Sequence, residues 1–218
     1  MSTSSPFALS PIAPVAGAAV DRFRPAGGGL KLVAFELLLV AVGTALIAGS
    51  AWVSWHPGFS PVPITGQTFA VLLVAALYGP VRGTATVLAY LAEGAMGLPV
   101  FAGGAAGVGY LLAAPTTGYL LGFVAAAAVT GGLAVRGWDR SFPRAVVAMS
   151  LGTAIIFVSG LAWLSIFLGL FVGDITLDAV LLAGLWPYLP GAMVKIGLAA
   201  ALLPCGWAVL RWLDSRVR

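Results

Sequence analysis

Six stretches, at residues 30–52, 66–78, 81–96, 115–135, 145–172 and 186–210, are apolar and carry few charges. Crossing about 30 Å of hydrocarbon takes roughly 20 helical residues. The second and third stretches are short and meet at Tyr78-Gly-Pro-Val-Arg-Gly83, a turn signal. Their apolar residues run on rather than alternate, which favours helices over a barrel. Charged residues make up 8% of the 218 and hydrophobic ones 61%, where a soluble domain carries roughly 25% charged residues. The chain reads as an all-α membrane protein of six transmembrane helices, with the lipid bilayer as its surroundings.

The basic residues set the orientation. Arg22, Arg24 and Lys31 flank the start of the first stretch, and Arg82 lies between the second and third. Arg136, Arg140 and Arg144 lie between the fourth and fifth, and Arg211, Arg216 and Arg218 follow the sixth. Ten of the 11 cations thus share one side, which the positive-inside rule makes cytoplasmic, with both termini there. The opposite loops hold only His56, Asp174 and Asp178 as ionisable groups. Trp52, Trp55 and Trp186 mark the outer interface, and Trp138, Trp207 and Trp212 the inner one. The net charge of +4 is explained by this placement, so no nucleic-acid partner is implied. Residues 1–29, rich in Pro, Ala, Ser and Gly, are expected to form a disordered cytoplasmic tail without signal-peptide features. Residues 30–218 form the transmembrane substrate-binding domain. The single Cys205 excludes an intramolecular disulfide and reads as a buried apolar filler. His56 has no metal-ligand neighbours, and no metal or cofactor is implied.

The eleventh cation, Lys195, stands apart, about two turns below the outer end of the sixth stretch. An ammonium in hydrocarbon costs about 3 kcal/mol on insertion scales, so it requires a partner. Glu93 approaches the outer end of the third stretch, and Gln67 and Thr68 open the second. Between the third and fourth stretches, residues 97–110 are apolar yet too short and Gly-rich to span. They predict a re-entrant loop that turns at Gly103 and Gly104 and lines a cavity. These features converge on one outward-facing pocket. Two alternatives need no solute: Lys195 snorkelling to the interface, or a structural pair between Lys195 and Glu93. There is no nucleotide-binding G-x-x-x-x-G-K-[ST] loop, no H-E-x-x-H and no G-x-S-x-G elbow. The pocket therefore belongs to a facilitator or to a subunit energised by a partner, not to an enzyme, and no residue is catalytic.

Five blocks carry a resemblance: Pro61-Val-Pro-Ile-Thr-Gly-Gln67-Thr, Tyr78-Gly-Pro80 with Gly83, Gly97-Leu-Pro-Val-Phe-Ala-Gly-Gly104, Pro115-Thr-Thr-Gly-Tyr119, and Pro190-Gly191 with Lys195. In order and spacing they resemble the BioY family, the biotin-binding S components of energy-coupling-factor (ECF) transporters. The resemblance implies a bundle that captures biotin from outside and topples within an assembly of a transmembrane coupling protein and two ATP-binding cassette ATPases. It implies substrate contacts at Lys195, Gln67, Thr68, Tyr119 and the backbone of Gly103 and Gly104, with Phe101 and Tyr110 as apolar walls. It also implies a partner-docking stripe on the first helix, here Ala41, Ala45 and Gly49. Departures are informative. An acid usual in the family three residues before the lysine is Ala192 here; an Asn and an Arg of some members are Ala105 and Leu120. Glu93 is expected to replace the absent acid. A sister S component for another vitamin and a solitary homo-oligomeric importer stay open.

Overall fold

The computed structural model describes residues 17–25, 28–173 and 175–217. Among them the helices are α1 Leu30–Trp52, α2 Gln67–Ala95, α3 Val108–Ala113, α4 Thr117–Val135, α5 Phe142–Phe171, α6 Leu177–Gly184 and α7 Leu189–Val217. A short antiparallel ribbon, β1 Ser54–Trp55 with β2 Ile64–Thr65, joins α1 to α2. Five helical stretches are long and apolar enough to cross a membrane: α1, α2, α4, α5 and the run Leu177–Arg216. Outward-facing residues stay apolar, as at Leu37, Leu38 and Leu46 of α1, Val158 and Leu170 of α5, and Val194 and Leu202 of α7. Contiguous apolar surface of this extent is a liability in water, whereas lipid accepts it. This is a multi-pass membrane protein.

The second helix is a hairpin rather than a rod. Gly79 leaves the helical region at φ 80° and ψ 177°, and Pro80 follows it. Glycine adopts that conformation without the steric cost of a Cβ, and proline lacks the N–H that would continue the ladder. The reversal shows in the contacts: Gln67 Nε2 donates to Tyr90 Oη at 2.6 Å, across 23 residues of sequence. A Cβ on Gly83 would lie 2.8 Å from the Cα of Ala75. The turn expected at 78–83 is present, and the two short apolar stretches are its limbs.

Between this hairpin and α5 runs α4, and small residues let the backbones close. A Cβ on Gly118 would lie 2.4 Å from the Ser159 carbonyl oxygen, and one on Gly131 2.6 Å from the Gly79 backbone. Packing is therefore the principal driving force between these helices, as lipid offers no hydrophobic gain for pairing them.

At the hinge end a polar lattice ties the chain together. Arg82 donates to both carboxylate oxygens of Glu36, at 2.6 and 2.8 Å, and to Asp21 at 2.6 Å. Arg22 pairs with Asp214. Trp207 Nε1 donates to Asp139, and the Arg140 guanidinium lies 4.5 Å from the Trp207 ring centroid. Burial pushes the Asp139 carboxyl upward, while Trp207 and Arg140 draw it back.

Several expectations change. Ala19–Phe23 forms a 3-10 turn with Ala18 and Ala19 buried against the hinge, so that part of the 1–29 segment is structured. The rest of that segment, residues 1–16, 26 and 27, lies outside the described residues, as do Asp174 and Arg218. Cys205 is exposed rather than buried, because α7 turns that face outward. Trp207 is buried under Arg140, at the end of the bundle that holds the loop between α4 and α5. The helix α6 and the Trp186–Tyr188 turn before α7 were not expected; Thr176 caps α6 by accepting from the Ala179 N–H.

Gly131→Ala should therefore destabilise the protein by about 1–3 kcal/mol, seen as a lower unfolding temperature in detergent. Gly132→Ala, with nothing within 4 Å of its Cβ, should leave that temperature unchanged.

Candidate functional site

A cavity opens where the β ribbon, the first limb of α2, the loop after α2, α4, α5 and α7 meet. Among the described residues, Lys195 is its only charged lining residue. Its Nζ donates to the Thr65 carbonyl at 2.5 Å and to Thr68 Oγ1 at 3.3 Å. The Thr65 carbonyl can accept because it precedes the N-cap Gly66 and lies outside the ladder of α2. Both partners are neutral. No ion pair joins Lys195 to a carboxylate among the described residues.

Gln67 is buried and sits in a relay. Thr65 Oγ1 donates to Gln67 Oε1 at 3.1 Å, Gln67 Nε2 to Tyr90 Oη at 2.6 Å, and Tyr90 Oη to the Val100 carbonyl at 3.0 Å. This chain fixes the loop against both limbs of α2. Phe101 is fully buried, edge-on to Tyr90 at 5.6 Å and stacked on Tyr110 at 5.5 Å. Its ring lies over Gly94, where a Cβ would come within 2.1 Å of it. The loop expected to be re-entrant thus folds back onto the bundle and lines the cavity through Phe101 and Ala102. Gly103 and Gly104 make its turn, at φ 68° and 78°. Neither is among the residues that line the cavity.

Tyr119 lines the cavity with its ring, since its hydroxyl already donates to the Gly184 carbonyl at 2.8 Å. Tyr110 Oη accepts from Thr116 Oγ1 at 3.2 Å. Tyr188 Oη lies 2.6 Å from the Val62 carbonyl and 2.8 Å from Ser60 Oγ. Glu93 is the expectation that changes most. It is half-buried, does not line the cavity and has no ion pair with Lys195. Tyr90 and Gly94, four residues apart, hold the inward face of that helix and Phe101 covers it, which leaves Glu93 to one side.

Ala192 and Leu120, two of the departures noted in the sequence, both line the cavity; Ala105 does not. Thr116, Thr153 and Tyr188 also line it without having been singled out. Thr153 and Tyr188 gave one signal, a polar group inside an apolar stretch. A lone threonine is too common in helices for that signal to stand out.

Residues 24–212 match the family model of the BioY family. A biotin transporter BioY of Thermotoga maritima is 36% identical over 167 residues, covering 77% of this chain and 92% of the relative. A probable biotin transporter BioY of Pyrococcus horikoshii is 32% identical over 167 residues, with 77% and 93% covered. One from Rhizobium etli is 33% identical over 180 residues, with 77% and 90% covered. The crystal structure of the S-component for biotin from an ECF-type ABC transporter superposes with a TM-score of 0.69 at 27% identity, covering 82% of this chain and 93% of that one.

Tyr90→Phe would leave the Gln67 amide and the Val100 carbonyl without their shared partner. A loss of about 1–3 kcal/mol is expected, measured by thermal unfolding in nanodiscs. An unchanged midpoint would remove the relay from the account.

Proposed function

Because the chain belongs to the BioY family, we propose that it captures biotin for uptake as the S component of an energy-coupling-factor transporter. Its relatives are biotin transporters and the matching structure is a transporter component, so transport and not catalysis is its work. The observation that carries this reading is a largely apolar cavity that, among the described residues, holds one ammonium and no counter-charge. Biotin supplies what such a site lacks: a carboxylate, a compact ring with few polar atoms, and apolar surface.

Lys195 would hold the carboxylate in a charge-assisted hydrogen bond, worth roughly 1.5–3 kcal/mol. Nanomolar capture needs about 12 kcal/mol in total. Burial against Phe101, Tyr119, Leu120 and Phe123 would supply much of the remainder. With Ala192 and Leu120 in the wall, shape and apolar contact weigh more here than in relatives with an acid and an arginine. That favours keeping a sister vitamin as the second reading.

Counting both limbs of α2, the helices make six crossings. The positive-inside rule then puts the hinge end and both termini in the cytoplasm, with the cavity facing outward from the cell membrane. On α1, Gly43, Thr44, Ile47 and Ala51 are buried, while Ala41, Ala45 and Gly49 are exposed on another face. This stripe suits close approach by a helix of a coupling protein, with ATPases supplying the energy.

Binding of radiolabelled biotin, with other vitamins as competitors, tests the reading. Lys195→Ala should weaken biotin more than tenfold, a cost above about 1.4 kcal/mol, while Glu93→Gln should bind as wild type. Displacement of the label by another vitamin at lower concentration would transfer the assignment to that solute. Ala45→Leu should keep binding and lose uptake in cells that carry the coupling module; retained uptake would remove the stripe from the docking surface.

A further inference from the structure

Residues 18–24 precede α1 and run across the hinge end of the bundle. Ala18 and Ala19 are buried there, and a Cβ on Gly79 would lie 3.3 Å from the Cβ of Ala18. The segment therefore starts on the reversal of α2. Asp21 then works in two directions. Its Oδ2 accepts the Ala18 N–H at 2.9 Å, which closes the turn, and its Oδ1 accepts from Arg82 Nη1 at 2.6 Å. Arg82 holds Glu36 of α1 as well. The next residue, Arg22, reaches α7 instead: it pairs with Asp214, and its guanidinium carbon lies 5.5 Å from the Trp207 ring centroid. Two neighbouring residues thus fasten the segment to different helices, one at the hinge of α2 and one on α7.

The segment cannot hold this shape by itself. Its regular part is a 3-10 turn of five residues, Ala19–Phe23, and so short a helix gains too little from its own hydrogen bonds to persist in water. The carboxylate that closes the turn is the one that Arg82 grips, so turn and anchor stand or fall together. Both outer pairs reach solvent, with the Asp21 and Asp214 side chains 38% and 57% exposed. Exposed pairs are individually weak and are screened by salt. At the opposite end of the bundle, α7 is tied to the start of α2 by Lys195, whose partners Thr65 and Thr68 lie away from this segment.

We infer that residues 18–24 are an ionic strap: fastened, it ties the hinge of α2 and the start of α1 to the end of α7, and it releases as a unit when either outer pair is lost or screened. Because α1 begins at Leu30, soon after the strap, and keeps one face unpacked, the strap decides how far the inner end of α1 can move from α7. This is a conformational control separate from the solute cavity and does not depend on which solute enters it.

Limited trypsinolysis of the full chain in nanodiscs, read by fragment mass, tests the fastening. Trypsin cuts after Arg22, whereas Pro25 protects the bond after Arg24, so the Arg22–Phe23 bond reports on the strap. Cutting there should be slow at 50 mM NaCl and about three- to tenfold faster at 500 mM, a comparison that needs no variant. Asp21→Asn and Asp214→Asn should each reach the high-salt rate at low salt, and combining them should add little. Asp178→Asn, which removes an exposed carboxylate outside the listed pairs, should cut as wild type. Spin labels at Val33 of α1 and Val209 of α7, with Cys205 replaced by Ser, should show one narrow distance in the parent and a broader distribution in Asp214→Asn. Cutting that ignores salt, or wild-type rates in both Asp21→Asn and Asp214→Asn, overturns the strap. Fully additive rates in the double variant overturn its release as a unit, and an unchanged Val33–Val209 distribution in Asp214→Asn overturns its hold on α1.

Discussion

Three N–H donors on Lys195 have to be satisfied inside a bundle whose other cavity-lining residues, among those described, are uncharged. The fold answers with a backbone carbonyl and one hydroxyl, both from the start of α2. For that carbonyl to be free, the chain must arrive at α2 from an extended segment, which the ribbon of β1 and β2 provides. The tight approach of Gly66 to Ser50, where a Cβ would lie 2.9 Å from the carbonyl oxygen, seats that ribbon on the end of α1. Lysine, ribbon and helix start are thus one arrangement. The charge is solvated but not neutralised, and this is the state in which an anionic solute gains most from entering.

Around this point the polar groups are arranged to hold the walls rather than to bind. The relay from Thr65 through Gln67 and Tyr90 to Val100 spends its donors on structure. Tyr119 and Tyr188 do the same with their hydroxyls. The result is an apolar chamber with few free polar atoms, so each free one carries weight in selecting the solute. At the far end, the lattice of Asp21, Glu36 and Arg82 fixes the hinge of α2 against α1. The cavity is therefore braced from both ends of the bundle while α1 keeps one face unpacked.

Much of this was legible in the chain because the bilayer constrains strongly. Charge placement and apolar length found α1 at its observed bounds and α4 and α5 within a few residues, and the Gly79–Pro80 signal found the reversal in α2. Lys195, Gln67 and Phe101 stood out because a cation, an amide and a glycine-flanked aromatic are costly or unusual in such a setting. Glu93 misled for the same reason. It is as anomalous as Lys195 by sequence, but a single residue of helix phase, about 100°, decides whether a side chain meets the cavity, and Phe101 over Gly94 takes that face. The place of Thr153 in the cavity wall and the burial of Trp207 against Asp139 were not legible, since both depend on what other helices bring to them. The α6 helix escaped because eight residues are too few to give a periodic signal.

The central claim is that one unneutralised ammonium receives the anionic end of the solute. A biotin-bound structure of the full chain, resolved well enough to orient the ligand, tests it most directly. A carboxylate oxygen within hydrogen-bonding distance of Lys195 Nζ is the predicted result. A carboxylate in solvent or against another residue, with Lys195 still held only by Thr65 and Thr68, would contradict it.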